Sequence, residues 1–546
     1  MTSNHDRRSY SVVAHIPDNS TIAVVIDNDE HHLHPLSHAT NVKTHLLYTG
    51  EAPRPNNCYS YVIMQDGIIT QQESSNRSIS GTSSTSTTTT TTTTYDFFDR
   101  VPKIEHVAQL PRLYGPLFKE KPNELHKTGQ IATLHFTGNQ DDFDTLHQRY
   151  QEKIKIEVSM SYIGADDIME FDSVQLKLSG RASRWMSKLS YGVKLPKDSR
   201  LYGHRHLKLR ALATDPSYLR EYLAYKSIKA SGLPCSDFSF VRVFINNQAI
   251  GLFGLIEAYK KPWLKDVFGD NKVNILYQGL GYSKVSNDHN QCADLKYNPD
   301  LQSYNHDQYK IKVAGKNDDG YQSLQSFTKT IVDDTWRDHA NVESFLRSFA
   351  LEIVAGFSDA YMSMADNYYV YKHKDEFVHI MSDVDMTFGQ TTLRLDKMLT
   401  GDYRQYPGIN IRPLSKYILD NADLSNQLQQ KVNEMASRLV HPDIMRPVID
   451  DVYSLIEQDV AWDKQLPRMG KNHIANNTTT YDRDNLPFWV HPPIEPDVLD
   501  DFNLRMRNDD VGFQDAVYGK PPYTSLTGVL DYITKSSDAI LTRNST

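Results

Sequence analysis

Residues 367–389 read NYYVYKHKDEFVHIMSDVDMTFG, and this stretch decides how the chain is interpreted. Residues 367–371 and 377–381 are rich in aromatic and β-branched side chains and are joined by a short charged segment. This pattern predicts a β-hairpin. Asp383 and Asp385 follow the second strand at once. The stretch therefore predicts a pair of strands that delivers two carboxylates to one end of a sheet.

The segment before this hairpin predicts a helix that also ends at an acidic residue. Asn341 is a good N-cap, an apolar face repeats at helical spacing after it, and Gly356 is a typical helix end. Asp359 is then exposed just beyond the helix. Together with Asn367, the first residue of the predicted hairpin, it extends the set of polar residues that converge on this part of the chain.

Asp359, Asn367, Asp383 and Asp385 form the candidate catalytic set. Mg²⁺ prefers carboxylate, amide and phosphate oxygens. Phosphoryl transfer in kinases needs a carboxylate that accepts a proton, an Asn and an Asp that hold metal ions, and a Lys on the phosphates. Asp383 and Asp385 share a face if the strand persists that far. The alternative for any single Asp is the capping of a turn, but the order of all four favours a metal-dependent site.

The region further upstream alternates in the manner of strands around a small-residue turn. Residues 174–178 and 188–195 are predicted strands, and the turn between them, residues 179–184, carries Arg181 and Ser183. Such a turn can cover phosphates with backbone N–H groups and cations. The sequence therefore predicts a phosphate-binding turn, although most hairpins of this kind bind nothing.

The next elements continue in an order that resembles the N-lobe of a kinase. Asp215 and Pro216 are predicted to open a helix that ends near Gly232, with Asp215 as N-cap and Pro216 at the first helical position. A hairpin follows, with strands over residues 238–245 and 250–256. Residues 292–319 are polar and are predicted to be a long insertion or loop.

This ordered set resembles the spore-coat protein H (CotH) family of atypical protein kinases, and the front half of the chain, with FDR at 98–100 and LPRL at 110–113, resembles its fungal, mucoralean members in particular. The resemblance covers about residues 176–389 and rests on these matching segments: GRAS at 180–183, KLSY at 188–191, LKLR at 207–210, DPS at 215–217, LRE at 219–221, VFIN at 243–246, GLFG at 251–254, Glu257, DNYYVY at 366–371 and DVDMTFG at 383–389. It implies a two-lobed, kinase-like α/β (α+β) domain that uses ATP with Mg²⁺ or Mn²⁺.

The resemblance also implies roles for individual residues. Asp359 would accept the proton, and Asn367 with Asp383 would hold the metal ions. Lys188 would contact the nucleotide phosphates. Three further residues are implied at the nucleotide, without a pairing among them: Lys208, Arg220 and Glu257. The implied reaction is transfer of the ATP γ-phosphate to Ser or Thr of a coat, secretory or surface protein. The alternative is a non-catalytic adhesin that contacts a host-cell receptor, as some fungal members do.

The first part of the chain predicts a separate, β-rich unit. Short β-rich runs alternate with turn residues over residues 1–78, which favours a small, Ig-like β-sandwich. Residues 79–95 are rich in Ser and Thr and predict a solvated linker. Residues 96–130 predict an extended connector, and residues 131–546 the kinase-like domain.

Composition narrows the class of protein and its location. The net charge of −9 and the scattered basic residues argue against a nucleic-acid partner. No apolar run is long enough to span a membrane. Three cysteines, without a CxxC pair, allow at most one disulfide. Five Asn-x-Ser/Thr sequons and the Thr run favour a secreted, cell-surface or spore-surface glycoprotein whose signal peptide is missing from the sequence; a cytoplasmic protein is the alternative.

Overall fold

The computed structural model describes most of the chain: residues 7–78, 94–100, 104, 106–121, 123–180, 182–269, 273–281, 292–304, 309–315, 319–471 and 495–543. Two sequence predictions lie largely or wholly outside these residues. They are the Ser/Thr-rich linker, of which only residues 94 and 95 are described, and the phosphate contact of Arg181.

Residues 7–78 form an eight-stranded sheet together with one short strand that follows the linker. Its strands are β1 (Arg7–Val13), β2 (Ser20–Ile26), β3 (His34–His38), β4 (Leu47–Pro53), β5 (Cys58–Gln65), β6 (Ile68–Gln72), β7 (Arg77–Ser78) and β8 (Asp96–Phe97). Alternate residues such as Tyr10 and Val12 are buried in a common apolar core. Because β8 pairs with β1 in parallel, the chain rejoins this sheet after the linker.

The next strands close into a barrel in the order β10-β11-β12-β13-β15-β14-β9. Its elements are β9 (Ala132–Thr137), α1 (Gln140–Gln148), β10 (Ile156–Ile163), β11 (Ile168–Leu178), β12 (Tyr191–Lys194), β13 (His206–Arg210), α2 (Arg220–Ala230), β14 (Phe238–Ile245) and β15 (Gln248–Glu257). The parallel pairing of β14 with β9 closes the ring. The barrel is filled by its own apolar side chains, among them Leu134, Leu176 and Phe253. It therefore has a packed core rather than a channel.

The first sheet packs directly on this barrel. Val13 and Phe97 of the sheet share an apolar cluster with Ile163 and Phe244 of the barrel. At the same junction the Thr44 hydroxyl lies 2.9 Å from Nδ1 of His135. The two β units therefore contact each other through a buried interface that includes polar groups.

The prediction that α2 begins at Pro216, with Asp215 as its N-cap, is wrong. The helix begins at Arg220, because Tyr218 has a φ of 56° and interrupts the helical path. Asp215 instead accepts hydrogen bonds from the backbone N–H groups of Ser217 and Arg220 and pairs with the Arg220 guanidinium at 2.6 Å. The acidic residue thus stabilises the tight turn that precedes the helix.

The hairpin predicted from strands at residues 367–371 and 377–381 is confirmed, and it forms one edge of a four-stranded sheet ordered β17-β16-β18-β19. After helix α3 (Lys261–Phe268), the strands are β16 (Leu276–Gly279), β17 (Tyr309–Val313), β18 (Tyr368–His373) and β19 (Glu376–Met381). The segment 292–319, predicted to be a long insertion or loop, contains one strand, β17. Alternating Lys and apolar residues there pair with β16.

Helices pack around this sheet and behind the barrel. They are α4 (Gln322–Val332), α5 (Val342–Ala355), α6 (Tyr361–Met364), α7 (Leu395–Met398), α8 (Pro413–Asp420), α9 (Ala422–Arg438), α10 (Pro442–Gln465), α11 (Pro496–Asn508), α12 (Phe513–Tyr518) and α13 (Val529–Arg543). The predicted ends of α5 are confirmed. The Asn341 side chain accepts a hydrogen bond from the backbone N–H of Ser344, and Gly356 ends the helix with a φ of 66°.

The described residues thus form a mixed α/β protein, as the sequence predicted. The two-lobed, kinase-like arrangement and the domain boundaries stay predictions. Among the helices that the structure describes, none has both the length and the apolar character required to cross a membrane.

Candidate functional site

Arg210 connects three elements of the predicted site. It lies at the end of β13, and its Nη2 pairs with Oδ1 of Asp383 and lies 3.5 Å from Oδ1 of Asp385. Its Nε lies 2.7 Å from Oε1 of Glu221 in the first turn of α2. The Arg210 side chain is only 12% exposed. One buried guanidinium therefore holds the segment after β19 against both the barrel and α2.

Asp359 and Asn367 form the second half of the site. Nδ2 of Asn367 donates to Oδ2 of Asp359 at 2.7 Å and to the Asp359 backbone carbonyl at 2.8 Å. The backbone of Asn367 is held as well, because its N–H donates to Asp366 and its C=O accepts from the Ser382 N–H. These contacts fix both the backbone and the side chain of Asn367 beside Asp359.

Asn367 of this pair and two residues near it have left-handed backbone conformations. Ala365, Asn367 and Asp383 have φ values of 52°, 57° and 54°. Asn and Asp tolerate this region better than most residues, whereas Ala does so at a cost. Such conformations cost about 1–3 kcal/mol each and cluster at functional sites, where the surrounding structure holds them. Their grouping here is an independent indication of a functional site.

Two small cavities meet at Asp383. The first, of about 10 Å³, is lined by Asp359, Asn367 and Asp383 and extends to the buried side chains of Glu352 and His379. This volume matches a single water molecule. The second, also of about 10 Å³, is lined by these residues: Lys208, Arg210, Tyr225, Ile256, Glu257, Tyr259, Tyr369, Ser382 and Asp383. Asp383 thus separates an acidic compartment from a basic one.

Burial and charge shift the titration of the groups around Arg210. Burial raises the pKa of Asp385, and the neighbouring Asp383 carboxylate raises it further. Burial also raises the pKa of Glu221, to about 7. Burial opposes the charge of Arg210, but Asp383 and Glu221 raise its pKa well above the usual value. The guanidinium thus stays charged, while its carboxylate partners differ in how readily they ionise.

The donor set suits a hard divalent cation. The Asp383 side chain is 39% exposed, and the carboxylate of Asp383 and the amide oxygen of Asn367 are ligand types that Mg²⁺ and Mn²⁺ accept. The described residues contain no group of three or more His, Cys, Asp or Glu side chains that could hold a metal ion by themselves. Mg²⁺ commonly takes one or two carboxylates and completes its shell with water and phosphate. The residues present fit that mode of binding.

Lys188, predicted to contact phosphate, lies in a different network. Its Nζ lies 2.9 Å from Oδ1 of Asp463 on α10 and donates to the Leu252 carbonyl at 2.5 Å. Burial lowers the pKa of Lys188 to about 8, against the effect of Asp463. Burial opposes the charge of Asp463 too, but Lys188 and Arg468 lower its pKa. The Asp463 carboxylate is contacted by several donors, whereas the Lys188 ammonium is contacted by few acceptors. A lowered pKa for Asp463 is therefore consistent with a lowered pKa for Lys188. Lys188 does not line either cavity at Asp383.

The other predicted nucleotide residues have varied surroundings. Arg220 is fully buried and is bound by Asp215 and by the carbonyls of Phe388 and Thr527. Glu257 lines the basic cavity and lies 2.8 Å from Nδ1 of His204. The Ser183 hydroxyl donates to the Ser179 carbonyl at 3.4 Å within the turn. Lys208 lines the basic cavity beside Asp383. The structure therefore brings Lys208 and Glu257 to the site with Asp359, Asn367, Asp383 and Asp385.

Arg210 and Glu221 were absent from the predicted site. The sequence carries a signal for Arg210: in HLKLR, Lys208 and Arg210 are two residues apart on a strand and so share a face. The link to Asp383 has no local signal, because it joins β13 of the barrel to the segment that follows β19 of the four-stranded sheet.

Comparison with known proteins shows which sequences this chain is similar to. The sequence profile of the family described as "CotH kinase protein" matches residues 176–483, more than half of the chain. "Invasin CotH2" of Rhizopus delemar is 22% identical over 77% of this chain and 71% of the relative. "Invasin CotH3" of the same fungus is 22% identical over 77% of this chain and 70% of the relative. "Spore coat protein homolog 1" of that fungus is 21% identical over 82% of this chain and 72% of the relative.

The matched region contains β13, α2, the hairpin β18–β19 and the acidic segment that follows it, so it includes every residue of the site around Asp383. The span of the profile, more than half of the chain, is what decides membership. The resemblance predicted from the ordered motifs is thereby confirmed: this chain belongs to the CotH kinase protein family.

Proposed function

We propose that this protein is a metal-dependent protein kinase that transfers the γ-phosphate of ATP to Ser or Thr of a coat or surface protein. The observation that carries the proposal is the Arg210 junction, which connects Asp383, Glu221 and the barrel next to the Asp359–Asn367 pair. A kinase needs a cation fixed by a helix carboxylate, a metal-binding Asp and Asn, and a base, all within one site. These groups adjoin one another here.

Each residue has a proposed role in that reaction. Asp359 accepts the proton of the acceptor hydroxyl, whose oxygen bonds to the γ-phosphorus as the bond to the β–γ bridging oxygen breaks and ADP leaves with that electron pair. Asn367 and Asp383 hold Mg²⁺ or Mn²⁺, with Asp385 next to them. When bound, the metal neutralises charge on the phosphate oxygens. Asn367 orients Asp359 by its two hydrogen bonds.

The proposed cations are Lys208 and Arg210. Both come from β13 and line the cavity that Asp383 bounds. Burial lowers the pKa of Lys208, and the Asp383 carboxylate partly offsets this effect. A bound phosphate would add negative charge and so favour the charged form of Lys208. The predicted phosphate contact of Lys188 stays a separate hypothesis, which a variant of that residue tests below.

The decisive experiment is phosphate transfer by the purified full chain. With radiolabelled ATP and Mg²⁺ or Mn²⁺, the wild type should label itself or a casein-like acceptor. Asp383→Ala should lose about 10²-fold or more of that rate while remaining folded by circular dichroism. Asp396→Ala, at an exposed carboxylate paired with Arg394, is the matched control and should retain full activity. Equal labelling by Asp383→Ala would contradict the proposal.

A second proposed function is adhesion to host cells from the cell or spore surface. It is supported by the relatives named invasins, whose matched segments cover 77% of this chain. A relative named spore coat protein homolog supports the surface location. In this case Asp383→Ala should bind host cells as the wild type does, and ATP with Mg²⁺ should produce no thermal shift. Loss of host-cell binding in Asp383→Ala would contradict adhesion as an independent function.

A further inference from the structure

Two buried polar side chains next to the proposed base have no role in the proposed reaction, and we call them the buried pair. They are Glu352, in the last turn of α5, and His379, on β19, with exposed fractions of 0% and 1%. Both line the cavity that Asp359, Asn367 and Asp383 share, which we call the acidic cavity. Because α5 packs against β19, the fold brings both side chains to one cavity from separate elements.

Three polar atoms of the buried pair are unpaired among the described residues. Within the part of the chain that the structure describes, Oε1 of Glu352 and both ring nitrogens of His379 have no hydrogen-bond partner. Buried polar atoms in folded proteins are almost always hydrogen-bonded, to the protein or to ordered water, because an unpaired atom loses its hydration without compensation. Three such atoms on residues that line one cavity therefore point to a small polar partner bound there.

The second oxygen of Glu352 connects α5 to the segment that carries the proposed base. Oε2 of Glu352 accepts a hydrogen bond from the backbone N–H of Met362 in α6 at 3.0 Å. Helix α6 begins at Tyr361, two residues after Asp359. One oxygen of the Glu352 carboxyl group thus holds the segment next to Asp359, while the other belongs to a residue wall of the acidic cavity. The position of Glu352 is therefore coupled to that of Asp359 through the backbone.

The surroundings of His379 are aromatic and do not supply its hydrogen bonds. Four rings lie around its imidazole: Phe345, Phe349, Tyr361 and Tyr368. The two tyrosine hydroxyls donate elsewhere, to the backbone carbonyls of Asp294 and Ala293. A phenyl ring at this position would make the same ring contacts, so packing by itself does not account for an imidazole. The ring nitrogens therefore need a partner in the acidic cavity.

We propose that the acidic cavity binds one ordered water molecule, which the buried pair holds beside Asp359, and that Glu352 and His379 are thereby positioning residues for the proton acceptor; this second half rests on the proposed kinase function. The volume of the cavity, about 10 Å³, is that of a single water molecule. A buried water makes about three hydrogen bonds, and the buried pair with Asp359 supplies that number. Asn367 donates to Oδ2 of Asp359, and the water adds a further contact that ties this carboxylate to α5 and β19.

The neutral forms of the buried pair match the hydrogen bonds of water. Burial raises the pKa of Glu352 to about 8 and lowers that of His379 to about 3, so both side chains are uncharged near pH 7. Because Oε2 of Glu352 accepts from Met362, the carboxyl proton lies on Oε1, which can donate to the water. A neutral imidazole has one donor and one acceptor nitrogen. A water molecule, which both donates and accepts, suits this set of groups.

Thermal unfolding of the full chain near pH 7 tests the water site independently of any activity. Glu352→Met and His379→Phe should each lower the melting temperature, because each removes a hydrogen bond to the water. The double variant should lose clearly less than the sum of the two losses, since the water is lost only once. His147→Phe is the matched control: this buried histidine on α1 contacts the Tyr191 hydroxyl at 2.8 Å, and its loss should add to that of Glu352→Met. A melting temperature that is unchanged or raised in His379→Phe, or additive losses in the double variant, would overturn the water site.

Steady-state kinetics of phosphate transfer tests the positioning role. Glu352→Met and His379→Phe should lower kcat about tenfold or more and keep KM for ATP within about threefold, because a misplaced base slows the chemical step and leaves nucleotide binding intact. Glu352→Gln should restore kcat to within about threefold of the wild type, since its amide offers an acceptor to Met362 and a donor to the water. His147→Phe should transfer phosphate as the wild type does. A Glu352→Gln protein as slow as Glu352→Met would contradict a role through hydrogen bonding.

The two measurements distinguish the water site from the kinase function. Non-additive losses of melting temperature in a protein that transfers no phosphate would refute the kinase and leave the water site standing. An active wild type whose Glu352→Met and His379→Phe variants keep full kcat would refute the positioning role and leave the kinase standing. Non-additive unfolding together with a lowered kcat and an unchanged KM in both variants would support the whole proposal.

Discussion

Replacing Lys188 tests whether this buried lysine maintains the fold or binds nucleotide. Its ammonium lies 2.9 Å from Asp463, whose carboxylate also accepts from the Tyr218 hydroxyl at 2.6 Å and from the Leu252 N–H at 2.8 Å. The Lys188 side chain is 6% exposed and that of Asp463 is fully buried. Removing one member of a buried ion pair costs about 3–5 kcal/mol.

The network predicts different costs for the two partners. Lys188→Met leaves Asp463 with three donors, Tyr218, Leu252 and Arg468, so we expect a loss near the lower end, about 3 kcal/mol. Asp463→Leu leaves the Tyr218 hydroxyl and the Leu252 N–H without their acceptor, and each such group costs about 1–3 kcal/mol. We expect about 5 kcal/mol for this variant. The double variant should lose less than the sum, because no unpaired charge remains.

Urea unfolding followed by circular dichroism measures these free energies. Lys329→Met is the control, because Lys329 pairs with Asp333 on the surface, with side chains 52% and 45% exposed; its cost should stay below about 0.5 kcal/mol. Thermal shifts with ATP and Mg²⁺ are recorded on the same proteins. A Lys188→Met protein that unfolds within about 1 kcal/mol of the wild type and yet loses its ATP shift would refute the structural role.

Three further predictions concern pH, backbone space and glycosylation. Burial raises the pKa of Glu352 from 4.5 to about 8, so the folded state keeps a proton that the unfolded state releases, and the free energy of unfolding falls as pH rises through that interval. Glu352→Gln should remove this pH dependence and add up to about 3 kcal/mol to the free energy of unfolding in urea at pH 7. An unchanged pH dependence in the variant would contradict this prediction. Gly251→Ala should destabilise the folded protein by at least about 2 kcal/mol more than Gly67→Ala does. A Cβ at residue 251 would lie 1.9 Å from Oδ1 of Asp463, whereas a Cβ at residue 67 would meet nothing within 4 Å. Equal melting temperatures of the two variants would contradict this prediction. When it is secreted from a eukaryotic host, the protein should run above 62.5 kDa on a gel and shift to lower mass after N-glycosidase treatment. Native protein that runs at its bare mass would favour the cytoplasmic alternative.

The sequence by itself determined the elements whose signals are local. The hairpin β18–β19 was evident from its aromatic and β-branched runs, and α5 from its Asn cap and terminal Gly356, because capping and alternation depend on neighbours within a few residues. The order of Asp359, Asn367 and Asp383 also indicated the family, since it is a property of the chain alone. The start of α2 was predicted wrongly, because Asp215 and Pro216 give the usual signal while Tyr218 adopts a left-handed conformation.

Only the tertiary structure decided which charges meet. Lys188 lies shortly before β12 and Arg210 at the end of β13, and no local rule assigns one to Asp463 and the other to Asp383. The assignment follows from where α10 and the segment after β19 pack on the barrel. A buried charge must find its partner across that packing, because leaving it unpaired costs several kcal/mol.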